Sequence, residues 1–238
     1  MTDDSPRPET PEHAQAGAVT GDEEEKAGCF PAILAATLIM GMVFCIGCGL
    51  SAWVIFGKRT EMAIVTMEKN FVPMVQQSRL ESDDKAAVLE QFEDFIRDMK
   101  ADNVENWQAS GVLQRLVNLP IVEWGDLQAV EAYAQTRDPE LADEARLQLS
   151  RLRRAIELQE AVRIDVTDAL KPVMRPSDDP LMVQVLIDPL NDDAVKETVL
   201  RAKLLADRAG IPDKPFEDVQ IGRIVRRQIE AGMLKGTY

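Results

Sequence analysis

The sequence predicts an all-α protein in four parts: a disordered acidic tail (1–28), one transmembrane helix (29–57), a juxtamembrane helical segment (58–81) and a multi-helix, bundle-like soluble domain (82–238). Three observations carry this. An uncharged run of 27 residues, Phe30 to Phe56, stands near the start. Beyond it, apolar residues recur at three- and four-residue spacing. Caps and breakers (Ser82, Asp138-Pro139, Asn191, Gly210 with Pro212) punctuate that spacing at helix-length intervals.

The tail carries eight acids and two bases, has three prolines by position 11 and shows no apolar periodicity, so it is expected to stay solvated and disordered. Residues 58–238 carry 33 acids and 25 bases. Such an acidic body repels phosphate backbones, and nucleic-acid binding through a broad basic face is not expected.

The uncharged run is long enough to cross a bilayer. At ~1.5 Å per residue, about 20 residues cover the ~30 Å hydrocarbon core. Pro31 suits the first turn, Trp53 stands where an interfacial aromatic belongs, and Lys58 and Arg59 close the far end. A cleaved signal is the less favoured reading, because those segments begin with basic residues and hold roughly 7 to 15 apolar ones. The stretch Ile46-Gly47-Cys48-Gly49 has the look of a lipid-attachment box, yet Cys45 occupies its aliphatic position and the apolar run continues past Cys48.

All three cysteines, Cys29, Cys45 and Cys48, lie in or at the edge of this segment. Redox or zinc chemistry at Cys45-x-x-Cys48 needs thiolates, which hydrocarbon disfavours without a compensating cation. The packing reading is simpler. Gly41, Cys45 and Gly49 recur every four residues and form a small-residue stripe on which a second helix can lie, giving a homodimer through the span.

After the span, Thr60 to Leu80 reads as a helix bent or restarted at Pro73, its methionines packing on the body. Ser82 is expected to cap a helix with Val88, Leu89, Phe92, Ile96 and Met99 on one face, interrupted at Asp102-Asn103. Another helix runs through Trp107 to Val117 and stops near Pro120, and a short one covers Asp126 to Gln135. Asp138 and Pro139 then open the longest candidate, whose stripe shifts from Ile156 to Leu158, Val162, Val166 and Ala169 before Lys171-Pro172 ends it. Four prolines bracket the irregular stretch that follows; a short helix from Asp179-Pro180 is preferred there over a strand through Val183, Val185 and Ile187. Asn191 caps a helix reaching Ala209, and a last helix is expected over Glu217 to Met233. A faint internal echo joins "SDDKAAVL" at 82 and "GVLQR" at 111 to "NDDAVKETVL" at 191 and "GRIVR" at 222, short strings that chance also produces.

The chemistry-bearing residues are sparse. His13, in the tail, is the only histidine, and the body has no cysteine. Ser-His-Asp triads, Cys-His nucleophiles and His/Cys zinc sites in the body are thereby excluded. Its glycines are isolated, so no phosphate-binding loop is present, and no cofactor or metal site is expected. The pairs Asp83-Asp84, Asp178-Asp179 and Asp192-Asp193 fit first-turn positions favoured by the helix dipole. Two basic clusters remain, Arg151, Arg153 and Arg154 with Arg146, and Arg223, Arg226 and Arg227. They could grip an acidic partner segment or anionic headgroups, or form solvated faces paired with Glu157 and Glu230.

The expectation is therefore a single-pass membrane protein that acts without catalysis, as a scaffold, anchor or regulatory subunit binding a protein partner. The alternatives are a membrane-tethered enzyme using carboxylate or lysine chemistry and a small-ligand sensor. Lys58, Arg59 and Lys69 outnumber Lys26 near the span, which favours a cytoplasmic body over an external one.

Overall fold

The structure, a computed structural model, describes residues 30–177 and 184–236, without the side chains of 30–32 and 52–57. The acidic tail with His13 and Cys29, the Asp178-Asp179 pair and the helix expected from Asp179-Pro180 lie outside the described residues. The fold is all-α, with one short hairpin. The chain divides into two units, Met1–Leu50 and Ser51–Tyr238.

In the first unit, helix α1 (Phe30–Gly57) begins, and its stretch Ile33–Ser51 is long and apolar enough to cross a membrane. Every side chain described there is exposed. Thr37, the one hydroxyl in its first half, donates to the carbonyls of Ile33 and Leu34 at 3.1 and 2.9 Å, so its donor is satisfied within the helix.

The second unit begins with the end of α1 and continues as a helix of mixed pitch: α2 (Arg59–Thr66), a π turn (Met67–Phe71) and α3 (Val72–Gln77). The restart expected at Pro73 is this π turn. Proline offers no amide to the Lys69 carbonyl, and the Val72 amide instead reaches back five residues to Met67. The turn also solves a facing problem. Ala63, Met67, Phe71 and Val75 are all buried at four-residue spacing, which drifts ~40° per step in a regular α-helix, and the wider π turn absorbs the drift. Of the methionines, Met67 is in the core, but Met62 is nearly half exposed, contrary to expectation.

Helices α4 (Ser82–Lys100), α5 (Asn106–Val117), α6 (Ile121–Gln135), α7 (Pro139–Glu157), α8 (Arg163–Leu170), α9 (Asp192–Arg208) and α10 (Ile221–Lys235) complete the unit. Strands β1 (Met174–Pro176) and β2 (Gln184–Leu186) pair antiparallel with Met174 opposite Leu186. Helix α10 packs on α5 and α4, and α7 packs on α9 and α6. Glycines permit the tightest approaches. A Cβ on Gly125 of α6 would stand 2.5 Å from the Leu80 amide nitrogen, and one on Gly232 of α10 would stand 2.6 to 2.8 Å from Val112 of α5.

Several expected boundaries move, each for a local reason. Ser82 does not cap α4; its hydroxyl meets Asp83, while the preceding Glu81 amide donates to Gln128. Helix α6 begins at Ile121 rather than Asp126, because the Trp124 amide closes the first turn on the Pro120 carbonyl. The long helix predicted to end at Lys171 is two. Gln159 adopts a left-handed φ of 64°, the Glu160 amide turns back to Ala155, and α8 restarts with the Val162 amide bound to Asp165. Residues Gln184–Leu186 form a strand, since the Ile187 amide pairs with the Val173 carbonyl and buries Leu186. Helix α10 starts at Ile221 rather than Glu217, because Pro212 and Pro215 hold the preceding segment open and the Phe216 amide is tied to Ser150 of α7.

The expected caps at Asp138 and Asn191 are present, accepting from the Leu141 and Ala194 amides at 3.0 and 2.9 Å. Gly210 ends the α9 region with φ 68°. The aspartate pairs occupy first turns but also join helices: Asp84 accepts from Gln128, and Asp192 from Tyr133 and Arg137. The internal echo does not repeat an environment. Gly111 lies mid-helix against the Gly236 backbone, whereas Gly222 is the second residue of α10 and faces the Ala87 methyl.

Candidate functional site

The two basic clusters divide by depth. Arg151 of α7 has a side chain only 3 % exposed, and its guanidinium reaches Gln148, Asp207, Asp213 and the carbonyls of Ile211 and Pro212. This side chain ties α7 to the end of α9 and is not presented to a partner. Arg153 is likewise inward, 13 % exposed, paired with Glu131 of α6 at 2.6 Å and lying 5.6 Å from the Trp124 ring centroid. Its Nε and one Nη are buried without a hydrogen-bond acceptor, a cost that the Trp124 ring face offsets in part. Arginines on the helix face toward the core extend long stems between apolar neighbours, so proximity in sequence did not make a common surface.

Helix α10 presents the other cluster. Arg223, Arg226 and Arg227 are all exposed, at positions that share one helical face. Arg223 donates to the Asp218 carbonyl, and Arg226 pairs with Glu230 at 3.0 Å. Glu157, at the end of α7, accepts from both Arg154 and Arg227. Burial raises its pKa, but the hydrogen bonds and charges of Arg227 and Arg154 outweigh that and hold it below its usual value. One carboxylate thus gathers Arg154 from the first cluster beside the second, a junction absent from the linear pattern.

A second concentration of charge lies along α6, which sequence reading passed over. Glu123 and Asp126 are buried although acidic. Glu123 pairs with Arg163 of α8 at 2.7 Å, and its other oxygen is buried without a donor. Asp126 stands 3.5 Å from Arg79, and its pKa is raised to about 6: burial raises it most, and the Arg79 charge only partly opposes that. Glu123 and Arg163 border a cleft of about 210 Å³ whose other walls include Phe71, Met74, Leu116 and Val122. The available signal was polar residues at helix-face positions that otherwise read as core, Glu123 beside Trp124 and Asp126 beside Leu127. Among the described residues, no group of three or more His, Cys, Asp or Glu side chains is placed to hold a metal ion.

In α1, a Cβ on Gly41 or Gly49 would meet no atom within 4 Å, and Cys45 is exposed. The small-residue stripe is therefore open along the helix and available for a second helix. Comparison of the chain with protein-family models, with characterised proteins and with solved structures found no match.

Proposed function

We propose that this chain is a single-pass membrane-anchored helical module that binds an acidic segment of another protein and acts as a scaffold or regulatory subunit, without catalysis. The observation that carries the reading is the exposed α10 face of Arg223, Arg226 and Arg227 on an otherwise acidic protein. The ion pairs these residues make are exposed, with side chains at 50 % for Arg227 and 68 % for Arg226. Pairs of that kind contribute about 1 kcal/mol or less, so partner carboxylates can replace them at little cost. Anchoring by α1 would tether the second unit to a membrane, and the excess of Lys and Arg after the span favours the cytoplasmic side. Self-association through Gly41, Cys45 and Gly49 would present two such faces together.

The test places a photo-crosslinking amino acid at Arg223 and, separately, at the exposed control position Leu204, in native membranes. A discrete adduct from position 223 that disappears with Arg226→Glu is the expected result. Equal adducts from both positions, unaffected by charge reversal, would refute the basic face as the site. Sensing of a small ligand has one observation in its favour, the apolar cleft beside Glu123 and Arg163, and stands as the second reading.

A further inference from the structure

We infer that the end of the second unit carrying Trp107 and Leu234 is a lipid-contacting foot, seated in the headgroup layer of the same membrane that α1 enters. The inference rests on α1 being a membrane span. The apolar run ends at Phe56, and helix continues almost without interruption from Gly57 through Lys58 to Arg59. From Phe56 to Thr60 is four steps of chain, a rise of ~6 Å in helix. At Thr60 the chain is already clamped to the body, its amide and hydroxyl both donating to the Asn106 side-chain oxygen at 2.9 and 3.0 Å. The headgroup layer is ~5–8 Å deep on each side of the hydrocarbon, so the Thr60–Asn106 clamp lies within or at the edge of that layer.

What surrounds the clamp fits that place. Trp107 follows Asn106 and is 46 % exposed, and Leu234 is 78 % exposed, more than any other apolar residue of the second unit described. Both stand where the start of α5 meets the end of α10: a Cβ on Gly236 would stand 3.3 Å from the Trp107 ring, and Gln108 donates to the Met233 carbonyl at 2.8 Å. The Trp107 indole N–H is held by Glu105 at 2.5 Å, which gives the ring one polar edge and leaves apolar surface free, the division that suits an aromatic at a membrane interface. Lys58 and Lys235, both exposed, add cations at the same end. An exposed leucine and tryptophan in water gain nothing, whereas insertion of both into the interface removes their apolar area from water.

The test uses the full chain in lipid nanodiscs, with Cys29, Cys45 and Cys48 replaced by Ala and one new cysteine carrying an environment-sensitive fluorophore. Three positions are compared: Leu234→Cys, the exposed body control Leu200→Cys, and Ile39→Cys within α1. With lipids carrying a shallow nitroxide quencher, Leu234→Cys is expected to be quenched at least about twofold more than Leu200→Cys, with bluer emission, as insertion at headgroup depth requires. If Ile39→Cys is quenched by a deep nitroxide but Leu234→Cys behaves as Leu200→Cys, the foot is refuted and the anchor stands. If Ile39→Cys is not quenched either, the anchor itself fails and the foot fails with it.

Discussion

Gly232→Ala tests the helix packing at its tightest point, because two effects of opposite sign meet there. In an ordinary helix interior, replacing glycine by alanine stabilises by ~1 kcal/mol. Gly232 has no room for that gain. The added methyl would stand 2.6 Å from Val112 Cγ2, 2.7 Å from Val112 Cα and 2.8 Å from Val112 N, and two of these atoms are backbone. Relief requires α10 and α5 to separate by several tenths of an ångström. That movement would stretch the bonds beside it, Gln108 to the Met233 carbonyl and Arg115 to the Gly236 carbonyl at 3.0 Å. Overpacking of this kind costs ~1–3 kcal/mol, and the strained hydrogen bonds put the cost at the upper end, for a net loss near 2 kcal/mol. For a domain of this size that is a fall of ~4–8 °C in Tm, read by circular dichroism of the full chain in micelles. Val112→Ala on the same background should recover part of the loss, since it removes Cγ2 but not the backbone atoms. A Gly232→Ala variant as stable as the parent would refute the close α5–α10 crossing.

Three further outcomes follow from the same geometry. Arg151→Met removes a buried guanidinium from five acceptor groups; because Asp207 and Asp213 are exposed enough to rehydrate, the loss is set near the lower end of buried-pair values, ~3 kcal/mol, and an unchanged Tm would contradict the staple. Asp126 has its pKa raised to about 6 in the fold from an ordinary 3.8, so the folded state binds the extra proton and stability falls as pH rises between those values. Asp126→Asn should flatten that slope in urea titrations from pH 4 to pH 7, by on the order of 2 kcal/mol across the window; parallel parent and variant curves would contradict it. In membranes, Gly41→Ile and Gly49→Ile should lower the yield of crosslinked dimer, and an unchanged yield would end the case for the α1 stripe as an interface.

Much of the fold could be read from residues whose effect is local. Asp138 with Pro139 and Asn191 act within one helical turn, and the structure has them as caps. The break at Gln159 could not be read that way, because Leu158, Val162, Val166 and Ala169 keep helical spacing across it and no glycine marks the left-handed residue. The π turn did leave a signal, the strict four-residue spacing of Ala63, Met67, Phe71 and Val75, which no regular α-helix can keep on one face. Charge misled most. Arg151 and Arg153 resemble a solvated cluster in sequence, yet their acceptors, Asp207 and Glu131, come from other helices. The α6 acids were hidden for the same reason, their partners Arg79 and Arg163 standing roughly 40 residues or more away in the chain.

Membrane insertion by α1 is the claim on which the functional reading stands, and alkaline carbonate extraction of membranes from cells expressing the full chain addresses it directly. The full chain should remain in the membrane pellet, while a variant lacking residues 30–57 should be released to the supernatant. Release of the full chain by carbonate would contradict a spanning helix and remove the basis for both the anchored module and its lipid-contacting foot.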